Sequence, residues 1–168
     1  MNNKKGGITD GIFIVVGIFM IAIIFLLVYV MVSKVNTELQ KSSIISQQGK
    51  DVANDLMGRY PKLFDNLFLF IVIGFGIAII AGAWFINSHP ALFWISIPIL
   101  AFIIWLGGLY ANIYTEFINH DTISDYSKDF PIMNFVFKNY IVLIMVYILM
   151  LAVALYAKQS SLNRNIGY

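Results

Sequence analysis

The sequence predicts an all-α fold, an integral membrane helical bundle with four transmembrane helices. Of its 168 residues, 60% are hydrophobic and 12% are charged, whereas soluble domains are nearer half apolar and a quarter charged. The mean hydropathy is +0.80. The apolar residues also lie in four long runs, and a water-soluble globule of this size could not bury them, because much of its surface stays exposed.

The first apolar run covers residues 12–32 and contains no charged residue. As a helix rising about 1.5 Å per residue it would cross a hydrocarbon core about 30 Å thick. Lys4 and Lys5 precede the run as they would in a signal peptide. The run is too long for a signal peptide and no small-x-small site closes it, so the sequence favours a retained span.

A polar segment, residues 33–66, separates the first and second spans. Its apolar residues recur every three to four positions, as in an amphipathic helix; they include Val52, Leu56, Tyr60 and Leu63. We expect a helix leaving the membrane, a break near residues 46–49, and a second helix that Pro61 ends or bends before the next span. The second helix either lies against the membrane interface or is a solvated connector, and the sequence leaves both interpretations open.

The second and third spans, residues 67–86 and 91–114, are joined by a turn so short that they must form an antiparallel hairpin. Trp84 and Trp94 flank this turn. Amphipathic indole rings favour the membrane–water interface, which predicts that both residues are interface anchors.

The fourth span covers residues 140–157 and follows a polar, acidic loop, residues 115–139. Lys138 and Lys158 bracket the span, where their long side chains would reach the interface. Four spans place both termini on one side of the membrane and the two polar loops on the other.

Small residues predict where these helices pack. Four-residue spacing puts small side chains on one helical face and allows another backbone to approach. The predicted packing residues are Gly74, Ala78 and Gly82 in the second span, with Gly107 and Ala111 in the third. The two sets would meet within the hairpin or between copies of the chain.

The four spans contain no Asp, Glu, Lys, Arg or His. Carriers and proton pathways place ionisable groups at membrane depth, so the sequence disfavours these functions. It does not disfavour a pore lined by apolar side chains or backbone carbonyls, because such a pore needs no charged group. Glu116 and His120 have a spacing that could share a metal on a helix, but a solvated acidic loop explains them better. With no cysteine and no enzyme motif, we expect no catalytic residue, no metal, no cofactor and no specific nucleic acid.

The last forty residues contain Asp129-Phe130-Pro131, Asn139-Tyr140 and an apolar run ending in Leu155-Tyr156-Ala157-Lys158. This pattern resembles small membrane proteins of lipid-containing, tailless icosahedral phages. The resemblance implies a structural role in a membrane beneath a capsid, without catalysis, and it assigns no functional residue.

The sequence therefore predicts a non-catalytic structural or assembly protein with several membrane spans, in a virion's internal membrane or a host cell membrane. Its expected partners are membrane lipids, other membrane or capsid proteins, and further copies of itself. Two alternatives remain open: a pore former such as a holin or small channel, and an accessory subunit of a membrane complex.

Overall fold

The computed structural model describes residues 8–85 and 90–165, with side-chain surroundings mainly for residues 13–81 and 98–154. In these ranges the chain is helical apart from short connections, and the predicted all-α bundle is confirmed. The helices are α1 (Ile8–Lys41), α2 (Gln47–Phe85), α3 (Pro90–Ile118), α4 (Ser124–Ser127), α5 (Pro131–Lys138) and α6 (Tyr140–Asn165).

The segment predicted as a polar loop, residues 33–66, is almost entirely helical. It comprises the end of α1 and the first half of α2, and the break is residues 42–46, slightly earlier than predicted. Ser46 begins α2 as an N-cap, because its Oγ accepts the backbone N–H of Gly49 at 3.3 Å. The two helices run side by side beyond the spans, where the Gln40 side chain donates to the Lys50 carbonyl at 2.8 Å.

Pro61 does not end α2, which continues from Gln47 to Phe85, so the predicted helix end is wrong. Proline removes one helical hydrogen bond and costs about 3 kcal/mol in an isolated helix. Here Pro61 is buried, and the neighbouring Tyr60 ring stacks on Tyr29 of α1 and on Phe64. Because α2 packs on α1 on both sides of Pro61, its first half is continuous with the second half and is not a separate helix.

The loop predicted at residues 115–139 also contains helices, since α3 continues to Ile118 and α4 and α5 follow. The axes of α5 and α6 meet at 75° at Asn139. Pro131 suits the first position of α5, because its fixed φ matches a helix and its missing N–H would have no helical partner there.

Among the described residues, three helices are long and apolar enough to cross a membrane, or four if the bent pair α5–α6 forms one span. The described outward faces agree with this, because large apolar side chains are exposed there. Phe70 of α2 is 77% exposed, and Met145 and Leu149 of α6 are 64% and 67% exposed.

In the described part of the bundle, α1 packs against α2 and α3, and α6 packs against the same two helices. Helices α2 and α3 therefore lie at opposite corners of the bundle. The short helix α5 contacts both of them and fills the space between them at the end of the bundle nearest residues 33–66. The most deeply buried large side chains lie mostly around α5: Tyr114, Phe68, Phe130, Leu26 and Met133.

Candidate functional site

The start of α5 is held by a carboxylate from a distant helix. Asp65 of α2 is only 3% exposed, and its two oxygens accept the backbone N–H groups of Ile132 and Met133, each at 2.8 Å. The preceding residue, Phe130, offers no side-chain cap. Asp65 of α2 therefore acts as the N-cap of α5, and its carboxylate lies at the positive end of the α5 dipole.

A second group of hydrogen bonds holds the connection between α3 and α5. The Tyr114 hydroxyl donates to Asn134 Oδ1 at 3.1 Å, and Asn134 Nδ2 donates to the carbonyl of Ser127 at 2.8 Å. The Tyr29 hydroxyl of α1 donates to Asp129 Oδ2 at 2.8 Å. We call this set the junction: Tyr29, Asp65, Tyr114, Ser127, Asp129 and Asn134.

Beneath the junction, aromatic rings close the bundle. Phe137 of α5 stacks on Tyr114 with ring centroids 4.1 Å apart and on Phe68 at 5.9 Å, and it meets Phe19 edge-on at 6.3 Å. Offset and edge-to-face pairs of this kind stabilise a core beyond their buried area. The four helices are thus tied together at one end by α5.

Two of the three predicted packing residues of α2 do not pack within the described part of the chain. Gly74 and Ala78 are exposed, and a Cβ added at Gly74 would meet nothing within 4 Å. The surroundings of Gly82 lie outside the described residues. A contact between copies through this face stays a prediction, because the structure holds a single chain.

Close approach occurs instead at Gly76 and Gly107, both buried. A Cβ at Gly76 would collide with the ring of Tyr147, and one at Gly107 with the ring of Tyr140. Both tyrosines belong to α6, so α6, rather than the hairpin partner, packs on the glycines of α2 and α3. Ala111 is also buried, and for Gly107 and Ala111 the structure provides a packing environment inside the chain.

The proposed interface anchors are only partly described. Lys138 is exposed at the end of α5, next to the 75° bend. The side chains of Trp84, Trp94 and Lys158 lie outside the described residues. The interface role of all four stays a prediction.

The ends of α1 and α2 that project beyond the apolar runs, residues 33–41 and 47–66, form an antiparallel hairpin that we call the stalk. An apolar groove of about 530 Å³ runs along it, mainly between the two helices. Among its lining residues, Val35 is 57% exposed, Leu56 is 63% exposed and Leu63 is 62% exposed.

The stalk also carries exposed charged residues, of which Arg59 lines the groove. Arg59 Nε lies 3.0 Å from Asp55 Oδ2, and Lys41 Nζ lies 2.9 Å from Glu38 Oε1, all with strongly exposed side chains. Exposed pairs of this kind contribute little to stability. Their charged side chains lie on the exposed surface of the stalk.

The acidic loop carries no cluster that could bind a metal. His120 lies beyond the end of α3, so it does not share a helical face with Glu116, and its Nδ1 accepts the backbone N–H of Thr122 at 3.4 Å. Over the described residues, no group of three His, Asp or Glu side chains converges. Asp125 pairs with Lys128 at 2.8 Å, and this hydrogen bond lowers the pKa of the Asp125 carboxyl.

No family model, curated protein or solved structure matches this chain. The likeness of the last forty residues to phage membrane proteins therefore stays a prediction from sequence.

Proposed function

We propose that this chain is a non-catalytic structural or assembly protein of a membrane, and that its stalk binds a neighbouring protein. The observation that carries the proposal is an apolar groove on a helical hairpin that is longer than a membrane is thick. At about 1.5 Å per residue, the 39 residues of α2 are about 58 Å long, against about 30 Å of hydrocarbon.

The position of the charges supports placing the stalk outside the hydrocarbon. Arg59 and Lys62 are exposed on α2 just before its apolar run, and the first exposed apolar residue of that run is Leu67. Charged side chains are unfavourable among acyl chains. With the span of α2 in the membrane, the groove faces water, where an exposed apolar patch rimmed by polar residues is typical of an interaction site.

The shape of the groove favours a helix as its occupant. Two antiparallel helices leave a furrow between their side chains, and an amphipathic helix of a partner can place its apolar residues there. The exposed charges of Asp55 and Arg59 beside the groove would set the register of the partner through complementary charges. We propose that this occupant is a helix of another protein in the same membrane or of a coat laid over it.

The roles of the buried polar groups support a structural function. Asp65 caps α5, Tyr114 holds Asn134, and Ser127 Oγ donates to the carbonyl of Ser124 at 2.9 Å. Each of these groups has a partner within the fold. Their hydrogen bonds fix the connection between α3 and α6, which is what a scaffold needs.

A photo-cross-linking amino acid at Leu56 tests the proposal in the native membrane. Because Leu56 lines the groove, we expect a covalent adduct with a defined partner protein. The same amino acid at Asp51, exposed on the same helix but outside the groove, is the matched control. Equal cross-linking from both positions, or none from Leu56, would contradict the proposal.

A substitution measures how much the groove contributes. Leu56→Asp removes an apolar contact and adds a charge, and losing the burial of one leucine corresponds to about 1.5–3 kcal/mol. We expect binding of the identified partner to weaken about ten- to a hundredfold. Leakage of ions from vesicles containing the purified chain alone would instead favour the pore-forming alternative.

The virion membrane is the specific setting that we propose from the sequence. If the chain belongs to such a particle, mass spectrometry of purified particles will detect it at a constant ratio to the coat protein. Detergent will release it, whereas high salt will not, because apolar spans are held by hydrocarbon and not by charge.

A further inference from the structure

A partly open cavity of about 390 Å³ lies between the helices of the bundle, lined by α1, α2, α3 and α6. Phe137 and Val136 of α5 line one end of it, directly below the junction. This volume is within the range of about 300–1,000 Å³ that small-molecule sites occupy. The cavity is therefore too large to be an ordinary packing defect.

The lining of the cavity selects an apolar occupant. Aliphatic and aromatic side chains form nearly all of its wall, and two of its tyrosine hydroxyls already have partners. The Tyr140 hydroxyl donates to the Ile103 carbonyl at 3.4 Å, and the Tyr147 hydroxyl donates to the Val72 carbonyl at 3.2 Å. A water molecule needs two to four polar partners to stay in such a space, and this wall does not offer them.

The dimensions of the cavity match one leaflet of a bilayer. Its lining runs from Tyr140 to Leu151 on α6 and from Leu100 to Tyr110 on α3. At about 1.5 Å per residue these stretches are about 15–17 Å long, which is about half of a hydrocarbon core 30 Å thick. The chains of one leaflet occupy this depth.

We propose that the cavity holds one acyl chain of a membrane lipid. This inference rests on the membrane location in the proposed function, because only a bilayer supplies acyl chains at this depth. The acyl chain fills the space between α2 and α3 and ends beneath Phe137. It supplies the van der Waals contacts that the lining side chains would lack if the cavity were empty.

Photolabelling from the lipid tests this proposal. The full-length chain is reconstituted into vesicles of dioleoyl phosphatidylcholine containing a small fraction of a phosphatidylcholine with a diazirine in its acyl chain. After irradiation, mass spectrometry maps the adducts. We expect adducts on inward side chains such as Tyr110 and Ile144, in addition to the outward Met145. Adducts confined to outward side chains would overturn the proposal.

Two tryptophan substitutions on α6 form a matched pair. Ile144 lines the cavity, whereas Ile141 faces outward and is 57% exposed. Ile144→Trp fills the space, so labelling of Tyr110 should fall to background while labelling of Met145 is unchanged; Ile141→Trp should leave both unchanged. Should Ile144→Trp fail to fold, the wild-type adduct map still decides. Absence of labelling on outward side chains would contradict the membrane location itself, which separates the two failures.

Discussion

Replacing Asp65 tests whether α5 is held from α2. In Asp65→Ala, the N–H groups of Ile132 and Met133 lose the carboxylate that accepts them. Asp65 is only 3% exposed, so water has little access to replace the carboxylate. Each buried donor left without a partner costs about 1–3 kcal/mol. Removing a buried carboxylate also removes its desolvation penalty, so we expect a net loss of about 2–4 kcal/mol in the free energy of unfolding.

Asp65→Asn refines the prediction. The amide keeps one oxygen, which can accept one of the two N–H groups, so the loss should be about half that of the alanine variant. Asp55→Ala is the matched control, because Asp55 lies on the same helix in an exposed pair with Arg59. We expect it to change stability by less than about 0.5 kcal/mol.

Hydrogen–deuterium exchange in detergent micelles measures the protection of the two backbone amides that Asp65 binds. In the wild type, the amides of Ile132 and Met133 should exchange slowly, and in Asp65→Ala they should exchange much faster. Thermal unfolding followed by circular dichroism gives the global loss. Unchanged protection at Ile132 and Met133 in Asp65→Ala would refute the capping argument.

Three further substitutions follow from the same contacts. Gly107→Val would drive a side chain into the ring of Tyr140, so we expect at least about 2 kcal/mol of destabilisation in a thermal unfolding assay, against a typical 1–3 kcal/mol for overpacking. Gly74→Ala meets nothing within 4 Å and should be neutral or stabilising by up to about 1 kcal/mol; equal losses at both glycines would show that α6 does not pack as described. Tyr29→Phe removes the hydrogen bond to Asp129 and should destabilise by about 1–2 kcal/mol, and an unchanged unfolding temperature would count against this contact.

The fold class was predictable because bilayer-length apolar runs leave few alternatives. The extent of the helices was not. Pro61 is a helix breaker in isolation, and α2 continues through it where Tyr60 and Phe64 pack on aromatic residues of α1. The short helices after α3 were missed for a similar reason, since α5 is capped by Asp65, a residue far from it in the sequence.

Residue spacing alone did not identify which glycine of α2 contacts another helix. Gly74 and Gly76 are two positions apart, which places them on different faces of α2. The four-residue pattern of small side chains pointed to the face of Gly74, whereas Gly76 is the residue that receives Tyr147. No local signal identifies that partner on α6. Gly107 was predicted from its four-residue spacing with Ala111, as a partner for α2, whereas its contact in the structure is Tyr140 of α6.

Asp65 carried no signal in the sequence. A carboxylate two residues before an apolar run has the same appearance as a solvated residue at a membrane boundary, and only the tertiary contacts distinguish the two. The stalk was partly predictable, because Val52, Leu56 and Leu63 already had helical spacing. Of these, Leu56 and Leu63 line the groove against α1, and predicting this would have required the register of the hairpin.

Accessibility of single cysteines tests the membrane location most directly, and the chain is suited to it because it contains no cysteine. Phe70 in the apolar run of α2 and Gln48 near the tip of the stalk are both exposed in the isolated chain, so only the surroundings can distinguish them. In open membrane fragments, we expect a water-soluble maleimide to label Gln48→Cys but not Phe70→Cys, and a lipid-soluble maleimide to label both. Equal labelling of both variants by the water-soluble reagent would contradict the account.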